Sequence, residues 1–178
     1  MSRIGLAQVV HALATSPLDY CPDLAEWIDI AKPVVAPGGD WPAAVEMAAM
    51  STIWRPALAE AVHCLAEQIA QDIGEFPQLD FWSTACGIIA RSYTLGVLDN
   101  EFAVADRMDL VWMDLRRGTA PPRTEELLFE GMAIHELVSY PGLGITERAI
   151  ALVAEADRLI PPDVVDRAFC EVVLDCLL

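Results

Sequence analysis

The stretch RPALAEAVHCLAEQIAQDIG, residues 55–74, decides the fold. Its apolar residues Leu58, Val62, Leu65, Ile69 and Ile73 recur at every third or fourth position, which is the period of one face of an α-helix. Gly74 suits the position just past a helix end, where a left-handed backbone is common. Pro56 lacks an N–H and its ring crowds the preceding turn, so it separates this helix from the one before it. A helix over 55–73 follows.

The same period extends in both directions. Upstream, Asp40 is a good N-cap and Trp41-Pro42 fit a first turn, predicting a helix to about Ile53. The stretch Pro33 to Gly39 carries two prolines and two glycines and reads as a loop. Before it, a helix over 23–31 opens at Pro22-Asp23 and ends before Pro33, and another spans 2–14. Downstream, Asp80 opens a helix over 81–97. Its Phe81, Ile88, Ile89, Tyr93 and Val97 would also suit a strand. Asp99 caps the next, which Arg116-Arg117-Gly118 close. Thr124-Glu125-Glu126 open one that runs to about Ser139. Thr146 caps a helix ending at Pro161-Pro162, and Asp163 caps a last one carrying Val164, Val165, Ala168, Phe169, Val172, Val173 and Cys176. The sum is an all-α, irregular single-domain bundle of eight to nine helices over residues 1–178.

Composition narrows the class. The chain has 178 residues and is 54% hydrophobic. A membrane span needs about 20 consecutive apolar residues, and the apolar run Phe81–Ala90 is ended by Arg91. At the N-terminus Gln8 and His11 interrupt the apolar run. It reads as an amphipathic helix rather than a secretion signal, and the expected location is the cytoplasm. Cys21, Cys64, Cys86, Cys170 and Cys176 show no C-x-x-C pair, so reduced thiols on helices are expected.

Charge is the most unusual property. Twenty-seven acidic residues face 11 basic ones, a net charge of −16. The deficit is −4, −5 and −7 over residues 1–60, 61–120 and 121–178, so it covers the fold rather than a tail. Such a surface repels nucleic acid and anionic membranes and attracts basic proteins.

Catalytic signatures are missing. There is no phosphate-binding glycine loop, dinucleotide turn or nucleophile elbow. His135-Glu136 opens a zinc-protease-like motif, but the second histidine position holds Ser139, and one imidazole cannot hold the metal. His135 shares a helix face with Leu128, Gly131, Met132 and Val138. It reads as a core-edge histidine with one satisfied hydrogen bond, since no orienting partner lies nearby in sequence. His63 and Glu67, at i,i+4, read as a surface pair. Arg91, amid apolar neighbours, must pair with a carboxylate if it is buried.

No catalytic residue, metal ligand or cofactor is assigned. The expected function is an acidic protein-binding module of the immunity or antitoxin type, which neutralises a basic bacterial toxin or effector. Its expected contact residues are Asp23, Glu26, Trp27 and Asp29 around the first acidic cluster, Trp41 after the loop, and Asp106, Asp109, Asp114, Glu126 and Glu130 on the helices over 99–115 and 124–139. Aromatic anchors with a charged rim are typical of such surfaces. Two other classes remain: a small enzyme with a carboxylate–metal site on those same two helices, and a structural or adaptor subunit of a homo-oligomer.

Overall fold

The computed structural model describes residues 3–15, 24–35, 41–50, 55–73, 79–115, 119–140 and 144–177. Among them the chain forms nine α-helices and no strand. They are α1 (Arg3–Ala14), α2 (Leu24–Val35), α3 (Pro42–Ala49), α4 (Arg55–Ile73), α5 (Phe81–Thr94), α6 (Glu101–Leu115), α7 (Pro122–Leu137), α8 (Ile145–Ala156) and α9 (Arg167–Cys176). A 3-10 turn, Asp157–Leu159, follows α8.

Helix α5 organises the bundle. Every residue from Phe81 to Ser92 is buried. It packs against α1, α6, α7, α8, α9 and the 3-10 turn. A helix apolar on all sides has no amphipathic stripe, which is why its sequence suits either helix or strand. Its start is fixed by Asp80, whose carboxylate accepts from Ser83 N at 2.8 Å. Its buried polar side chains are tied down, apart from the Thr84 hydroxyl, which has no hydrogen-bond partner among the described residues. The Ser83 and Thr124 hydroxyls pair at 2.6 Å, and Ser92 Oγ donates to Ile88 O at 2.8 Å. Arg91 finds its carboxylate in Asp157: Nε donates to Oδ1, and Nη2 to the main-chain oxygen at 3.2 Å. Around this axis α1 packs on α4, α3 on α2 and α4, α9 on α2 and α5, and α7 on α6 and α8.

Several helix ends differ from those the sequence predicts. Helix α2 continues through Pro33 to Val35. Val34 is buried beside Ile30 and Ala31, and that packing holds a last turn which local propensity alone would release. Helix α3 stops at Ala49 because Met50 turns extended, short of Ile53. Asn100, not Asp99, caps α6: its Oδ1 accepts from Ala103 N at 3.0 Å. Helix α7 starts at Pro122, so Thr124 lies inside it. Helix α8 starts after Gly144, so Thr146 is internal rather than a cap. Asp166 caps α9 by accepting from Phe169 N at 2.9 Å, and Asp163 instead adopts φ 60° in the loop before it.

That loop is drawn inward by two glycine sockets. A Cβ on Gly5 would stand 2.2 Å from a Val164 methyl, and one on Gly87 would stand 2.7 Å from an Ile160 methyl. Ile160, Val164 and Val165 are therefore buried although none is helical, and Ala168, expected inward, is exposed. At Gly87 the crowding includes Ile160 Cγ1 at 3.0 Å and Cβ at 3.3 Å, so turning the side chain alone leaves a tight contact at Cβ. Gly87→Ala is expected to cost about 1 kcal/mol net. Overpacking of about 1–3 kcal/mol is set against about 1 kcal/mol of added helix propensity. A urea titration reads this as a lower midpoint with unchanged slope.

The thiols are reduced where described: Cys86 and Cys170 are buried and Cys64 is half-buried. Burial pushes the Cys170 thiol up to about 11, and the Cys86 thiol further.

Candidate functional site

Helices α6 and α7 form an antiparallel pair. Gly131 permits a close approach: a Cβ there would sit 2.6 Å from Met108 Cβ and 3.6 Å from the Ala105 carbonyl. The register follows from the side chains that meet. Asp106 meets His135 at one end, and the Trp112 and Phe129 rings stack edge to face at the other, with centroids 5.7 Å apart.

Val104, Ala105, Met108 and Val111 face the core from α6, and Leu127, Leu128 and Ile134 from α7. The opposite side of α6 carries Asp106, Leu110 and Met113, spaced four and seven residues apart and so on one outward face. Leu110 is 43% exposed and Met113 58%; across the seam Phe129 is 53% exposed. Among the described residues, five of the seven exposed large apolar side chains lie on α6, on α7 or just after α7, the others being Val138 and Tyr140. Scattered exposed apolar residues need no explanation, whereas a gathered set marks an interaction surface.

Carboxylates border this apolar seam. His135 Nδ1 lies 2.7 Å from Asp106 Oδ1, and Nε2 lies 3.9 Å from Asp109 Oδ2. The hydrogen bond to Asp106 raises the His135 pKa above its ordinary value, opposed by slight burial and supported by the charges of Asp106, Asp109 and Glu136. A raised histidine pKa stabilises the fold fully below the unfolded value of about 6.5. That increment is lost as pH rises through the folded value. His135→Gln is therefore expected to lower the melting temperature at pH 6 more than at pH 8. Added salt should shrink the difference, because the pair is half exposed. Differencing against the wild type removes the contribution of His11, whose pKa burial lowers. An equal loss at both pH values would exclude the ion pair.

The other predicted contact residues divide into three groups. Trp27 and Trp41 are corrections. Trp27 is wholly buried, and Trp41 is buried with Nε1 donating to Asp72 Oδ2 at 2.8 Å. Neither indole is presented to a partner, because α2 and the start of α3 turn these rings into the core. Asp29, Glu126 and Glu130 lie outward but are already engaged. Lys32 sits 2.5 Å from Asp29, Arg123 sits 2.9 Å from Glu126, and Arg148 grips Glu130 with two bonds of 2.7 and 2.9 Å. Asp23 and the side chains of Glu26 and Asp114 lie outside the described residues, as does the loop over 36–40. Of the predicted contact residues whose side chains are described, Asp106 and Asp109 come together, around His135.

No family model, curated protein or solved structure matches this chain.

Among the described residues no three His, Cys, Asp or Glu side chains converge as metal ligands, and no helix is long and apolar enough to cross a membrane. His63 and Glu67 form the exposed pair expected of them, at 3.4 Å. Leu110, Met113 and Phe129 were not among the expected contact residues. For the first two the signal was in the spacing: at four and seven residues from Asp106 they share a helix face with an expected contact residue. Phe129 carried no such cue, since its position depends on how α7 docks against α6.

Proposed function

We propose that this chain is a protein-binding module that docks a basic protein on the outer face of α6 and α7, in the manner of an inhibitor that neutralises a toxin or effector. One observation carries the reading: Met113 and Phe129 are exposed at the end of the seam where Trp112 meets Phe129, Leu110 is exposed further round α6, and Asp106, Asp109 and Glu136 gather around His135 at the other end. An apolar centre with a charged rim is the usual anatomy of a protein interface. The net charge of −16 adds long-range attraction toward a basic partner and speeds encounter. The inhibitor form of the reading rests on that charge together with a sequence that carries no catalytic motif.

The test is affinity capture with three tagged forms of the full chain: wild type, Met113→Asp, and Val45→Asp as a control on a distant exposed residue. A basic protein retained by the wild type and the control, released by a salt step and lost with Met113→Asp, is the expected result. That protein should also be toxic when produced alone and harmless when co-produced with this chain. With the captured partner, the double reversal Asp106→Lys/Asp109→Lys should slow association about tenfold or more at low salt and much less at high salt. Retention of the same proteins by all three forms would remove the α6–α7 face from the reading.

A further inference from the structure

From the antiparallel packing of α6 and α7 and the order of chemistry along their seam, we infer that the segment it receives is a basic amphipathic helix of the partner. This rests on the docking reading above and names the recognition element. Two closely packed antiparallel helices leave a shallow groove along their shared axis. A third helix fills such a groove by laying its own ridges between theirs at about 8–10 Å. Adding a strand requires a sheet edge, and the described residues contain no strand.

The order of chemistry along the seam sets what the incoming helix must carry. Trp112, Met113 and Phe129 form the apolar end, and Asp106, Asp109 and His135 the acidic end. Asp106 and Met113 are seven residues apart, which is ~10 Å along the axis. The partner helix therefore presents apolar residues at i and i+3 or i+4, with arginine or lysine about two turns away on the same stripe. Charge decides against a second copy of this chain as the occupant. Two such faces would bring Asp106, Asp109 and Glu136 of each molecule toward an equally acidic surface, and like charges that are partly desolvated oppose association.

The test uses the full chain, isotopically labelled, and a synthetic peptide of about 16 leucine and lysine residues, ~24 Å long as a helix. The peptide is patterned to be amphipathic, and a scrambled peptide of the same composition is the comparison. Amide shifts expected to move on titration lie at Asp106, Asp109, Leu110 and Met113 on α6 and at Phe129, Met132 and His135 on α7. The scrambled peptide should bind about tenfold more weakly. Phe129→Asp and Met113→Asp should each weaken the patterned peptide by a similar factor with little change in melting temperature, since both side chains are more than half exposed. Equal binding of the two peptides would reduce the surface to bulk charge and overturn the inference. So would shifts confined to other helices, or no binding at millimolar peptide. Dimerisation of the chain that Phe129→Asp abolishes would give the face to a second copy, with the same consequence. If a basic protein is captured through Met113 while the patterned peptide does not bind, the helix fails and the docking reading stands. If the peptide binds at the seam and no protein is captured, the docking reading fails for want of a partner and the inference falls with it.

Discussion

Removing the Asp157 carboxylate is expected to destabilise the fold by about 3 kcal/mol. Arg91 reaches from the last turn of α5, and its side chain is only 10% exposed. With Asp157→Ala the guanidinium keeps the main-chain oxygen of residue 157 but loses its counter-charge. An unpaired buried ion costs about 3–5 kcal/mol. Asp157 itself is 30% exposed, so water partly replaces the lost carboxylate and the lower end of that range applies. Removing the cation is expected to cost less: Arg91→Met leaves the carboxylate near solvent, where hydration satisfies it. The double variant Arg91→Met/Asp157→Leu should lie closer to wild type than Asp157→Ala, because an apolar pair of similar volume avoids the desolvation penalty altogether. Urea unfolding of Arg91→Met, Asp157→Leu and their double variant, read as a double-mutant cycle, isolates the coupling. A loss below about 1 kcal/mol for Asp157→Ala would show that the guanidinium reaches water.

The need for this pair could be read in the sequence, but the identity of the partner could not. A charged residue at the end of the run Phe81–Ala90 had to be paired if buried, yet its partner lies 66 residues away across the α8–α9 connection. The same division runs through the fold. The stripe from Leu58 to Ile73 gave α4 its observed bounds, Arg55–Ile73, because an amphipathic helix records its burial in its own period. Helix α5 was ambiguous because burial on every side erases that period. The start of α9 was misplaced because Asp163 and Asp166 are equally plausible caps locally. The choice fell to Gly5 and Gly87, whose sockets hold Val164 and Ile160 out of any helix.

The candidate site shows the limit more sharply. Asp106, Asp109 and His135 were each singled out, but the sequence supplied no register between α6 and α7, so the histidine had no visible partner. Helical geometry places residues on a face without saying what that face meets. Local composition also misled. Three acids around Trp27 suggested a solvent boundary, whereas the charge of a neighbour one residue away reports the adjacent helix face. The exposed apolar side chains Leu110 and Met113 lie instead on α6, where only the carboxylates were expected to make contact.

Trp27 therefore provides the second large effect, and one that separates stability from binding. It is among the largest fully buried side chains. Trp27→Ala is expected to cost about 3–5 kcal/mol, the transfer energy of the ring plus the cavity it leaves. Trp27→Phe should behave differently. The indole N–H is buried with no hydrogen-bond acceptor among the described residues, and an unsatisfied buried donor costs about 1–3 kcal/mol. Phenylalanine removes that donor while sacrificing one ring, worth about 1–2 kcal/mol of burial, so the two changes offset to within about 1 kcal/mol of wild type. Chemical denaturation of both variants checks this. A loss with Trp27→Phe of more than half that of Trp27→Ala would mean that ring shape, not the stranded N–H, dominates at this position. The result also bears on function. If Trp27→Phe folds normally and captures the same partner as the wild type, any binding lost with Trp27→Ala is a loss of folded protein. The α6–α7 seam would then remain the surface to which mutagenesis of binding belongs.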